Sequence, residues 1–422
     1  MSRIDELIER LCPDGVEYKP LGEMGAFSRG TSFQKKHFQE EGYPCIHYGQ
    51  IYTHYGLWAD KTKSFLDKEF YSVKGKAKCG DLVIATTSEN EEDVCKAMAW
   101  LGTEDVIVSN DAYIYHHSMN PKYVAYFFQS EHFQSAKRTY ITGTKVLRVS
   151  GDSMSKIRIP VPPMEVQDEI VRVLDSFAEL EAELEAELEA RKAQYCYYRD
   201  YLLSFRGNFR FSGDLIQRLC PDGVEYHPLR EFGTVVRGGS FQKKDFIDQG
   251  RPCIHYGQIY TKFGLHVSES LTFVDDVIFE KSKKARYGDV IMAVTSENIE
   301  DVCKCITWLG SDEVAVSGHT AIIRHNQNPK YMTYFFRSVA FESEKRRLAH
   351  GTKVIEVTPV KLLDIRIPIP PMEVQDEIVR VLDRFDALVN DISCGLPAEI
   401  DARRKQYEYY RDKLLTFKER AS

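Results

Sequence analysis

"IRIPVPPMEVQDEIVRVLD" occupies Ile157–Asp175, and "IRIPIPPMEVQDEIVRVLD" occupies Ile365–Asp383, a single difference in nineteen positions. Each copy reads as a β-prone stretch, a proline break and the opening turns of a helix. The prolines end the strand and release the chain, and apolar residues then recur at spacings of three and four. In the first copy the stripe is Ile170, Val173, Phe177, Leu180, Leu184 and Leu188, continued by Tyr195, Tyr198 and Leu202. In the second it is Ile378, Val381, Phe385, Leu388 and Ile392, then Tyr407, Tyr410 and Leu414. A continuous helix over Met164–Ser204 spans ~60 Å. Its other faces are polar, with "AELEAELEAELEA" at 178–190, so it cannot bury such a stripe alone. The two stripes are expected to pair antiparallel, because the chain between them must return. The other reading is a coiled coil with a separate protein.

The 208-residue offset of the junction holds across nearly the whole chain. "LCPDGVEY" stands at 11–18 and 219–226, and residues 33–57 match 241–265 at 18 of 25 positions. "TSEN" at 87–90 and 295–298 is followed by "EDVCK", "WLG", "NPKY", "YFF" and "GTKV" in both copies. This is duplication of a large unit rather than a short-period solenoid. Within each unit, β-prone runs such as "PCIHYGQIY", "GDLVIATTS" and "DAYIYHH" are bounded by Gly and Asp turns. A helix is predicted over "NPKYVAYFFQSEHFQSAKR", with Asn120 as cap and Pro121 in the first turn. The fold class is therefore α+β: two similar mixed α/β domains joined by two long antiparallel coiled-coil helical regions with pseudo-two-fold symmetry. The boundaries fall at 1–162, 163–206, 207–370 and 371–422. In the last segment Gly395 and Pro397 are apt to break the helix.

With 422 residues, 43% apolar, the chain exceeds one ordinary core. No apolar run reaches membrane-spanning length, and the charged start "MSRIDELIERL" lacks a signal-peptide core. A cytoplasmic location and no membrane partner are expected. Ten cysteines without a CxxC pair point to reduced, mostly buried thiols. Cys45 and His47 would share a strand face, but further zinc ligands are lacking, and no metal is expected. The net charge of −7 arises almost wholly from residues 161–206, which carry 5 basic and 11 acidic groups. The two large blocks are near neutral, so basic stripes on them are permitted.

Two like domains at opposite ends of an antiparallel helix pair match the two-folds of B-DNA, and a rigid bar would set the separation of two readers. With its two "PPMEVQDEIVRVLD" junctions, "RKAQYCYYRDYLLSF" and "RRKQYEYYRDKLLTF", and "GTKV" before each junction, the whole chain resembles the specificity subunits of type I restriction–modification enzymes. The resemblance implies two target-recognition domains and two helical spacers. It implies a subunit without chemistry of its own that reads a bipartite site in double-stranded DNA. It also implies two adenine-methylating modification subunits as partners, with restriction (translocase–nuclease) subunits added in the full enzyme.

The residues themselves offer little catalysis. "NPKY" resembles an NPPY-type methyltransferase loop, but no glycine-rich cofactor strand precedes it, and a helix cap explains it better. "GTKV" lacks P-loop spacing, and "TSEN" has no matched histidine. No catalytic residue and no cofactor are expected. A stand-alone methyltransferase or nuclease is the alternative, and a pure coiled-coil assembly protein a weaker one. DNA contact needs cationic donors near phosphate and flat amides or guanidinium groups near base edges. The candidates are Ser32, Gln34, Lys35 and Lys36 with Ser240, Gln242, Lys243 and Lys244. They include Tyr48, Gln50 and Tyr52 with Tyr256, Gln258 and Tyr260, and Asn90 with Asn298. Thr144 and Lys145 with Thr352 and Lys353 form the "GTKV" pair, in which Gly143 and Gly351 would allow close backbone approach. Arg138, Arg346 and Arg347 lie just upstream.

Overall fold

The computed structural model describes residues 3–70, 74–205, 218–391 and 393–420. They form two units, 1–183 with 400–422 and 184–399. Ile392 of the expected stripe lies outside the described residues. The long helix Met164–Ser204 contributes its beginning to the first unit and its end to the second.

The first unit is built on "LVIA". Leu82–Ala85 is buried throughout because it lies between Ala112–His117 and Lys96–Trp100 in a five-stranded sheet, with Gly25–Arg29 and Trp58–Ala59 at the edges. Alternation along these strands divides two cores. Leu82, Ile84, Ala97, Ala99 and Tyr115 pack toward the helices that follow. Val83, Ala85, Met98, Trp100 and Ile114 pack with Ile46, Ile51 and Val108. Ile46 and Val108 belong to a second five-stranded sheet, in which Tyr43–Ile46 runs parallel to Val106–Val108.

Asn120 caps its helix, its side chain accepting from the N–H groups of Lys122 and Tyr123. The predicted single helix is two, Pro121–Gln129 and Glu131–Arg138. Ser130 divides them: its hydroxyl donates to the carbonyl of Phe127 and accepts from the N–H of Phe133. The break lets Phe127, Phe128 and Phe133 converge in the core.

The second unit repeats this register. Val290 stands opposite Ile323 as Leu82 stands opposite Tyr115, and Tyr226 opposite Pro368 as Tyr18 opposite Pro160. Its second sheet has four strands.

Helix pairing is visible inside each unit. In the first, Phe177 stacks on Tyr410 at 5.5 Å, and Glu181 accepts from Arg404 at 2.5 Å. Residue numbers rise on one helix as they fall on the other, so the pair is antiparallel. In the second, Tyr198 stacks on Phe385 at 5.3 Å. Before pairing, the long helix rests on the domain core: Val166, Ile170, Val171 and Leu174 are buried there. Val173, placed in the expected stripe, is only half-buried. The other spacer is broken into Met372–Asn390 and Leu396–Leu414. At Gly395 a Cβ would lie 2.4 Å from the carbonyl oxygen of Ala387, so only glycine allows this turn.

The C-terminal segment returns to the start of the first unit. Val16 donates to the Lys418 carbonyl at 2.9 Å and accepts from Arg420 at 3.0 Å. Gly15 has φ +99°, and a Cβ there would stand 2.4 Å from the Lys418 oxygen.

Candidate nucleic-acid interface

The strand in "PCIHYGQIY" stops at Ile46, and Tyr48–Thr53 is helix. His47 is extended and caps that helix: its Nδ1 accepts from Gly49 at 3.2 Å. Cys45 and His47 therefore do not share a strand face. Cys45 is fully buried, and burial pushes its thiol up to about 12. Gln50 completes the cap, its Oε1 accepting from the His47 N–H at 2.9 Å while its Nε2 donates to Ser64 at 2.7 Å. The side chain is 7% exposed. Gln258 repeats both bonds, with His255 at 2.8 Å and Thr272 at 3.3 Å. Both amides are engaged within the fold, Gln50 buried and Gln258 half-buried. Tyr52 and Tyr260 are likewise committed, their hydroxyls donating to the carbonyls of Thr87 and Thr295 at 2.8 and 2.7 Å. Their rings, and those of Tyr48 and Tyr256, stay half-buried.

Those carbonyls belong to "TSEN", and through them the helix meets a hairpin. Thr87–Ser88 pairs with Leu147–Arg148, and Thr295–Ser296 with Ile355–Glu356. Thr142 pairs antiparallel with Arg148, and His350 with Glu356, closing the hairpin whose tip is "GTKV". Gly143 and Gly351 have φ +97° and +108°, and a Cβ would lie 2.2 and 2.0 Å from the carbonyl oxygens of Val146 and Val354. The loop's own closure thus demands these glycines. Thr144, Lys145, Thr352 and Lys353 are exposed at the tip. Asn90 and Asn298 are exposed, and their Nδ2 groups donate to Asp93 and Asp301 at 2.8 and 2.9 Å.

Two buried lysines that the sequence reading passed over hold this loop. Lys137, 1% exposed, donates to the carbonyls of Glu92 and Val94 at 2.9 and 2.8 Å. Lys345 donates to the carbonyl of Glu300 at 2.9 Å. Burial lowers the Lys137 pKa. The available signal was position: each lysine is four residues after a buried phenylalanine, Phe133 and Phe341, and so shares its helix face.

"SFQKK" forms a short turn, Lys35–His37 in one copy and Lys243–Asp245 in the other. Ser32, Gln34, Lys35 and Lys36 are exposed, as are Ser240, Gln242, Lys243 and Lys244. The turn is near the capping histidine: burial, then the charge of Lys35, lowers the His47 pKa, and Lys243 acts likewise on His255. Arg138, Arg346 and Arg347 sit at helix ends in exposed ion pairs with Glu131, Glu342 and Glu344 at 3.8, 3.1 and 3.2 Å. Such pairs contribute about 0–1 kcal/mol and exchange partners readily.

In the second unit the helix, "TSEN" and the hairpin enclose a groove of about 400 Å³. Tyr256, Tyr260 and Val354 form its apolar part. Thr295, Ser296, Glu297, Asn298 and Asp301 line its polar part, and His319 closes one side. Asp301 and His319 were not singled out in the sequence. "SFQKK" and the helix-end arginines do not line it.

A family model described as the type I restriction modification DNA specificity domain matches residues 13–190 and again 221–402. The chain is 29% identical to the specificity subunit of a type I restriction enzyme of Escherichia coli, over 99% of this chain and 97% of that one. It is 24% identical to a type I restriction enzyme specificity subunit of Methanocaldococcus jannaschii, over 62% of this chain and 63% of that one. Among solved structures, one on complex assembly and conformational transition of the type I R-M system aligns with TM-score 0.65 at 18% identity, covering 95% and 97% of the two chains. The HsdS subunit from Thermoanaerobacter tengcongensis aligns with TM-score 0.51 at 16% identity, covering 97% and 99%. At these identities the structures bear on the fold alone.

Proposed function

The chain belongs to the type I restriction–modification DNA specificity family, and from that premise we propose that it reads a bipartite duplex DNA target, one half-site per unit. The observation that carries this reading is the duplicated hairpin. Each unit presents an exposed lysine, Lys145 or Lys353, on a glycine-closed tip braced against "TSEN". A lysine so placed suits phosphate, and the adjoining groove suits a base edge. The recognition domains are 1–162 and 207–370, the spacers 163–206 and 371–422. The spacers dock two modification subunits, to which restriction subunits add in the cytoplasm. The chain itself performs no chemistry. Because the domains are alike and read opposite strands, the target is an interrupted, imperfect inverted repeat.

Mapping methylated sites in DNA treated with the chain and its cognate modification subunits tests this. Two half-sites of inverted resemblance at a fixed gap are expected. Half-sites without such resemblance reject the paired-reader model. The enzymatic alternative makes a separate prediction, binding of S-adenosylmethionine by the purified chain alone.

A further inference from the structure

The groove of the second unit has nine lining residues, and eight of them have the same residue type 208 positions earlier. Tyr48 answers to Tyr256 and Val146 to Val354, and the polar residues between them repeat as well. The one departure is His319, whose counterpart is Asp111. The backbone places both alike. Val294 donates to the His319 carbonyl at 3.0 Å, and Thr86, its counterpart, donates to the Asp111 carbonyl at 3.2 Å. His319 is exposed, with its ring 4.9 Å from that of Tyr256. Asp111 is half-exposed and acts electrostatically on His47, as His319 does on His255. The two side chains therefore occupy corresponding places, beside groove-lining residues that are otherwise the same in both copies.

Their hydrogen-bonding chemistry differs in the capacity to donate. A carboxylate only accepts, whereas an imidazole offers an N–H donor. In the major groove cytosine and adenine present amino donors, and guanine presents the acceptors N7 and O6. Resting on the DNA-reading function proposed above, we infer that Asp111 and His319 are the residues by which the two half-sites are told apart. Asp111 faces an amino-bearing base, cytosine or adenine, where His319 faces guanine. The exposed residues repeated between the two grooves read what the half-sites share.

The test is selection of bound duplexes from a library randomised in both half-sites, with the full chain and its cognate modification subunits. Wild type, His319→Asp and Asp111→His are compared. Each substitution installs the residue that the other domain already carries, so both variants are expected to fold. His319→Asp should convert one base pair of the second half-site to the preference of the first, by roughly tenfold, and leave the other positions unchanged. Asp111→His should do the reverse. Variants that bind with the wild-type preference, or that change preference elsewhere, overturn this assignment while leaving the reading function standing. A wild-type selection that enriches no sequence overturns the reading function itself.

Discussion

Lys122 donates to Asp175 at 2.7 Å, joining the "NPKY" helix to the spacer helix. Tyr126 donates to the other oxygen of the same carboxylate at 2.7 Å, and Asn120 donates to Asp168 at 2.8 Å. All three recur in the second unit, where Asn328 bonds Asp376 and both Lys330 and Tyr334 bond Asp383. The repeated sequences 157–175 and 365–383 thus carry a socket as well as a stripe. "NPKY" fits that socket, and needs no methyl-transfer chemistry to account for its repetition.

Asp175→Ala should destabilise the first unit by about 2 kcal/mol, since it removes two charge-assisted bonds and strands the hydroxyl of a buried tyrosine. Asp175→Asn keeps one acceptor and should cost less. Urea unfolding of the full chain measures both. Equal stability of Asp175→Ala and wild type would show the socket to be incidental.

Gln50→Ala should lower stability by about 1–3 kcal/mol, because the His47 N–H is left without its acceptor, and it should leave the DNA motif unaltered. Lys145→Ala should leave stability unchanged and reduce the salt dependence of DNA binding by about one unit of slope. A Gln50→Ala protein that is fully stable but altered in motif would return that residue to the reading surface. An unchanged slope would remove Lys145 from phosphate contact.

The contrast between these two residues marks how far sequence carries. Repeats, the apolar periods and the proline–glycine punctuation made the duplicated mixed α/β fold, the antiparallel pairing and the break near Gly395 legible, because each follows from local chain chemistry. "YGQIY" misled, since a histidine–glutamine capping box converts a β-prone run into helix, and its glutamine is spent on the cap. The groove was beyond reach because it joins positions as distant as Tyr256 and Val354, and pairing of Ser296 with Ile355 brings them together. Only afterwards does the difference between Asp111 and His319 acquire meaning.

His117 and His325 supply a pH dependence. Burial holds both imidazoles down to about 4 from an ordinary 6.5. The unfolded chain therefore binds more protons between those values, and stability present above pH 6.5 is lost as pH falls toward 4. Each site contributes up to ~3 kcal/mol. Unfolding free energies at pH 7 and pH 5 should differ, and the difference should shrink in His117→Leu and His325→Leu. An undiminished difference in the double variant would assign the effect to other groups.

Removing Ala182–Glu185 should shorten the long helix by ~6 Å and turn its far end by about 40°. The apolar stripe survives, because Leu180 and Leu188 still fall on one face after Leu184 is lost. A base pair advances DNA by roughly 3.4 Å and turns it by about 36°. If the helix sets the distance between readers, both half-sites should keep their bases while the gap changes by about one to two base pairs. Removing two residues instead rotates the stripe by about 160° and should abolish assembly. Methylation mapping with the modification subunits present reads the outcome. An unaltered gap in the four-residue deletion, or altered half-site bases, would place the spacer elsewhere, with the break near Gly395 in the other helical region as the element to shorten next.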